Sequence, residues 1–94
     1  SKTKADSSYT SRFSAMFYVY ILQSLSNTDR MYVGFTQNLR HRLEEHNSGE
    51  CVHTFKYMPW KLNTFIGFES KEKALDFERY LKSGSGREFA KRHL

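Results

Sequence analysis

Five side chains in this chain have the types that phosphodiester chemistry uses, at spacings that local structure can gather. Tyr20 and Tyr32 stand twelve positions apart, Arg42 and His46 are separated by four, and Glu78 follows much later. A lone carboxylate can hold a hard divalent cation. A guanidinium neutralises phosphate oxygens through its planar fork, and a phenol or an imidazole can move or orient a proton. Together these are the groups a metal-dependent phosphodiesterase needs. Each also has a plain structural reading. Tyrosines favour strands and build cores, and an Arg42–Glu78 ion pair with a hydrogen-bonded His46 would account for the helix residues. Gly34 reads as a turn glycine. Cys51 and His53 suggest a metal site, but no second pair completes one.

The elements that must position these groups read in alternation from Met16 onward. Phe17 to Leu22 is an aromatic and β-branched run, hence a strand with Tyr18, Tyr20 and Leu22 on one face. A polar turn, Ser24 to Arg30, leads to a return strand from Met31 to Gly34, so the two form an antiparallel hairpin. Thr36 or Asn38 can cap the next helix, which runs to about Asn47 and stops before Gly49. Ser48 to Pro59 has no period and reads as a loop. Trp60 to Glu69 is a third strand. Ser70 caps a helix with Glu72 in its first turn, ending near Ser83. Gly84-Ser85-Gly86 makes a turn, and Ser85 with Glu88 forms a capping box for a short last helix. The order is β-β-α-β-α-α, an α+β domain with a small antiparallel three-stranded sheet flanked by helices.

Polarity breaks the helical rule at three places. Leu39, Arg42, Leu43 and His46 share the stripe that faces the core, and so do Ala74, Phe77, Glu78 and Leu81. Arg42, His46 and Glu78 therefore point toward the sheet at its edge, where unpaired burial is costly and each needs a partner or a ligand.

Composition narrows the setting. Ninety-four residues allow one domain, and 38% hydrophobic content with 16% aromatics supports a modest core. A formal charge of +5 favours a polyanionic partner, although a basic domain of any kind would carry it. One cysteine leaves no intrachain disulfide and fits a reducing cytoplasm. No apolar run approaches the ~18 residues of a membrane span. Ser1 to Ala15 is rich in Ser, Thr and Lys and reads as a disordered arm or a remnant ahead of a natural start at Met16, with the domain over 16–94.

The ordered set carries a resemblance. Val19-Tyr20-Ile21, Tyr32-Val33-Gly34, the stretch Asn38-Leu39-Arg40-His41-Arg42-Leu43-Glu44-Glu45-His46-Asn47, and a helix with Ala74-Leu75-Asp76-Phe77-Glu78 resemble the GIY-YIG nuclease family. The likeness extends from Met16 to about Ser83 and is closest to stand-alone bacterial members made of this module alone. The same module forms the N-terminal nuclease of the bacterial excision-repair incision subunit. By resemblance, Tyr20 and Tyr32 are the motif tyrosines, Arg42 the helix arginine, His46 the His or Tyr one turn later, and Glu78 the ligand of Mg²⁺ or Mn²⁺. The resemblance implies hydrolysis of nucleic acid, DNA in preference to RNA, leaving a 3′-hydroxyl and a 5′-phosphate. It also implies a place in DNA repair or recombination, with a partner protein supplying substrate choice.

Two positions depart from the family pattern. Many members place Lys, Ser or Thr shortly after the second motif; here Phe35 precedes Thr36, so Thr36 is the substitute. Many carry an Asn near the end of the module, and this chain has none there. Arg40, Lys82, Arg87, Lys91 and Arg92 are candidates to hold backbone phosphates instead, with a solvated helix face as the plain alternative. Three functions stay open: a metal-dependent endonuclease, a non-catalytic nucleic-acid-binding module on the same fold, and a structural or interaction subunit.

Overall fold

In the computed structural model, which describes residues 16–94, the aromatic run Phe17–Ser24 (β1) becomes the central strand of an antiparallel sheet. Met31–Thr36 (β2) and Trp60–Phe68 (β3) flank it in the order β2-β1-β3. The segment 1–15, read above as an arm, lies outside the described residues. Tyr20 pairs with Gly34 on β2 and with Phe65 on β3, while Tyr32 pairs with Leu22. The β1–β3 register slips between Ile21, opposite Thr64, and Leu22, opposite Leu62. Asn63 is the extra residue of this bulge, which bends β3 just beyond the Tyr20 pair.

Alternation along β1 gives the sheet two apolar faces, and a different helix covers each. Leu39 and Leu43 of Leu39–Asn47 (α1) pack on Tyr20, Leu22 and Trp60. Ala74 and Leu81 of Lys71–Leu81 (α2) pack on Val19 and Ile21, backed by Phe89 and Ala90 of Gly84–His93 (α3). The α+β class and the order β-β-α-β-α-α are those expected from the sequence.

Capping residues fix where the helices begin. The Asn38 side chain accepts from the His41 amide at 3.1 Å, and the Thr36 hydroxyl accepts from the Asn38 amide at 3.1 Å. Past α1, Gly49 takes φ 84°, the left-handed geometry that ends a helix without a Cβ penalty. The Ser70 hydroxyl caps α2 through the Lys73 amide. The last helix differs from the expected Gly84–Gly86 turn and Ser85/Glu88 capping box. Ser83 is the cap, its hydroxyl accepting from the Gly86 amide at 3.2 Å, and α3 runs ten residues from Gly84. Packing explains the earlier start. A Cβ at Gly86 would strike the Tyr80 carbonyl, so glycine there lets the first turn of α3 abut the end of α2.

Candidate active site

The site begins with a glycine. Gly34 lies opposite Tyr20 within the sheet, and a Cβ built on it would land on the Tyr20 hydroxyl and ring. The turn reading of Gly34 is therefore corrected. It is a strand residue whose missing side chain lets the phenol lie across β2. Gly34→Ala is expected to push the buried phenol off its partners, costing ~1–3 kcal/mol by overpacking. Chemical denaturation and the Tyr20 ring shifts check this, and an unmoved ring at unchanged stability contradicts it.

Tyr20 is 2% exposed, and its hydroxyl lies 2.9 Å from His46 Nε2. Arg42 Nε donates to the same hydroxyl at 3.2 Å, and its Nη1 donates to Glu45 Oε1 at 3.0 Å. His46, fully buried, places Nδ1 2.7 Å from the Thr54 hydroxyl. The Tyr32 ring stands 4.9 Å from the imidazole and 6.4 Å from the Tyr20 ring, centroid to centroid. The helical spacing of Arg42 and His46 thus delivers both to the α1-covered face, where the strand alternation delivers both tyrosines.

Glu78 stands apart from this group. It belongs to α2, on the opposite face, and its carboxylate accepts from Lys82 Nζ at 3.2 Å. The structural alternative of an Arg42–Glu78 pair does not form, since each is satisfied within its own helix by Glu45 and Lys82. Tyr32 links the two faces because β2 is an edge strand. Besides touching His46, it lines a groove of about 740 Å³ together with Arg30, Lys82, Arg87 and Lys91, against one acid, Asp29.

A family model for the GIY-YIG catalytic domain matches residues 16–92 of the chain. The chain belongs to the GIY-YIG family. A structure-specific endonuclease subunit SLX1 homolog from Giardia intestinalis is 37% identical over 65 residues, covering 65% of this chain and 18% of that protein. A UPF0213 protein from Streptococcus pneumoniae is 39% identical over 66 residues, 69% of this chain and 65% of the relative. One from Streptococcus pyogenes is 35% identical over the same length, covering 70% of the relative. The chain therefore spans about a fifth of the first relative and just under two thirds of the second.

In this GIY-YIG domain the electrostatics follow from burial. Burial drives the Tyr20 phenol up to about 12, against the Arg42 hydrogen bond and charge that pull it down. It is a neutral donor and acceptor through the physiological range. Burial and the Arg42 charge hold His46 below its ordinary value, with Glu45 opposing, so the imidazole is neutral too. The Tyr20 hydrogen bond raises the already permanent Arg42 cation further. Around Cys51 burial works upward, but hydrogen bonds from Thr54 and the His53 amide, with the Arg42 charge, outweigh it and leave the thiol lowered.

Of the residues expected to grip phosphate, Lys82, Arg87 and Lys91 meet in the groove. Arg40 and Arg92 are exposed on α1 and α3, outside it. The Thr36 hydroxyl is engaged with the Asn38 backbone. Sequence reasoning passed over Glu45 and Thr54. Glu45 had a signal, since i,i+3 neighbours on a helix meet; Thr54 sits in a segment without periodicity. Among the described residues, no three His, Cys, Asp or Glu side chains are grouped to hold a metal by themselves.

Proposed function

We propose that this chain is a metal-dependent endonuclease that hydrolyses phosphodiester bonds in nucleic acid, DNA in preference to RNA, with Tyr20, Tyr32, Arg42, His46 and Glu78 as its machinery. The observation that carries the reading is how Arg42 is held. Tyr20 and Glu45 each take one N–H and fix the plane of the guanidinium. A guanidinium has five donors, so three remain for phosphate oxygens. A structural arginine on a helix face needs no buried phenol–imidazole pair behind it.

The roles divide by environment. Tyr20, buried and neutral, orients Arg42. Tyr32 is partly buried, lies against His46 and lines the basic groove, which supports it as the phenol that orients the attacking water. Glu78, across the sheet from Tyr20 but paired with Lys82 of the groove that Tyr32 lines, supplies the one carboxylate. Mg²⁺ or Mn²⁺ fits that donor set in one mode, since magnesium keeps several waters and commonly takes one or two carboxylates with phosphate oxygens of the substrate. Bound there, the ion would polarise the phosphate and stabilise the leaving oxygen. The relative named as an endonuclease subunit supports a further expectation, that a partner protein supplies substrate choice.

The test uses end-labelled duplex, flap and junction DNA, with single-stranded RNA beside them, in Mg²⁺. Cleavage leaving ends that a DNA ligase rejoins, a 5′-phosphate and a 3′-hydroxyl, is expected. Cleavage of none of them, or 3′-phosphate ends, contradicts the proposal.

The groove makes a separable prediction. Changing Lys82, Arg87 and Lys91 together to Gln should weaken DNA binding and flatten its salt dependence by a slope of roughly 2–3, close to one unit per phosphate contact. Single-turnover cleavage at saturating DNA should barely change. A salt titration of binding by fluorescence anisotropy reads the first quantity, and an unchanged slope removes these residues from the interface.

A further inference from the structure

We infer that Thr54 is a positioning residue, fixing the tautomer of His46 and, through it, the orientation of Tyr20 and Arg42. The inference deepens the proposed function and rests on it for its catalytic consequence alone. It starts from an unbroken line of polar atoms: Arg42 Nε, the Tyr20 hydroxyl, His46 Nε2, His46 Nδ1 and the Thr54 hydroxyl, at 3.2, 2.9 and 2.7 Å between successive side chains. Its interior members are sequestered, with Tyr20 at 2% exposure and His46 and Thr54 at 0%. Water does not rearrange such a line, so its protons must be consistent from end to end.

One direction satisfies every atom from Arg42 Nε to the Thr54 oxygen. Arg42 Nε can only donate, so the Tyr20 oxygen accepts there and its own proton goes to His46 Nε2. A bare Nε2 on a neutral imidazole puts the ring proton on Nδ1, which then donates to the Thr54 hydroxyl. The Thr54 hydroxyl, accepting there, keeps its own proton at the end of the line. The reverse tautomer would aim Nε2–H at a Tyr20 oxygen already taking the Arg42 proton. It would also leave the Tyr20 proton without an acceptor in the line.

Thr54 is itself anchored. Its carbonyl accepts from Trp60 Nε1 at 2.8 Å, tying the loop to the first residue of β3. That bond comes from the backbone and survives any change of the Thr54 side chain. The hydroxyl can therefore be removed without unmooring the loop. In other sites, an orienting partner of this kind decides whether a catalytic imidazole presents the right nitrogen.

The test begins with the unaltered protein. Long-range ¹⁵N correlation spectra should show His46 protonated on Nδ1 and bare on Nε2; an Nε2-protonated ring overturns the inference outright. Thr54→Val keeps shape and removes the acceptor, so His46 should move toward the Nε2–H form. Single-turnover cleavage should then fall roughly 10–100-fold, the scale of a misaligned catalytic group, with DNA affinity near the starting value. Thr54→Ser restores the hydroxyl and should restore both readouts, also if the valine variant folds poorly. Equal cleavage by the valine and unaltered proteins, or a serine variant as impaired as valine, contradicts the positioning role. If the unaltered chain shows the Nδ1 tautomer but cuts nothing, the hydrogen-bond assignment stands and the nuclease reading fails.

Discussion

Glu78→Gln is expected to abolish metal-dependent cleavage, by roughly 10³ or more, while leaving folding and DNA binding almost unchanged. The magnitude follows from losing a ligand charge for an ion that contributes several kcal/mol to the transition state. The small stability effect follows from what Glu78 touches. Its carboxylate pairs with Lys82 one turn on, at 3.2 Å, where the lysine side chain is 53% exposed and the Glu78 side chain 20%. Gln keeps the volume and a hydrogen-bond acceptor for Lys82, and an i,i+4 pair whose cation stays solvated contributes ~0.5 kcal/mol. Thermal melts and anisotropy titrations beside the cleavage assay separate the cases. Full activity in Mg²⁺ and Mn²⁺ removes Glu78 from the metal site. A large fall in Tm assigns it to the fold instead.

Arg42→Lys should also cripple turnover. Lysine keeps the charge and loses the fork, so if two of its three donors meet Tyr20 and Glu45 a single one is left for phosphate where Arg42 leaves three. Turnover should fall roughly 10² or more with affinity changed only a few-fold, the pattern of an interaction made in the transition state. Rapid-quench single-turnover kinetics with a binding titration checks it. A variant that loses affinity yet cleaves normally at saturation makes Arg42 a docking residue and moves the non-catalytic binding module ahead.

The sequence carried the period of each element and therefore which residues share a stripe. Tyr20 with Tyr32, and Arg42 with His46, were legible for that reason: strand alternation and i,i+4 spacing are local properties. Which face of the sheet a helix covers is not local. It depends on the crossover from β3 into α2, which lays Glu78 on the side opposite the tyrosines and leaves Arg42 to its neighbour Glu45. Gly34 was misread because a strand glycine and a turn glycine look alike until the side chain lying over it is known. Thr54 left no trace, since the segment from Ser48 to Pro59 is organised by long-range contacts, the His46 and Trp60 side chains meeting Thr54 from two other elements. The α3 start failed for a related reason: Gly86 is set by contact with the Tyr80 carbonyl, and the capping pattern at Ser85 was a local coincidence.

Nicking of supercoiled plasmid shows whether the Tyr20–Arg42–His46 cluster with Tyr32 and Glu78 performs metal-dependent hydrolysis. Three reactions are compared: the unaltered chain in Mg²⁺, the same chain in excess chelator, and an Arg42→Ala variant purified identically in Mg²⁺. Conversion to nicked circles is expected in the first alone. Equal nicking in all three, or none by the unaltered chain on plasmid and on flap and junction DNA, contradicts it.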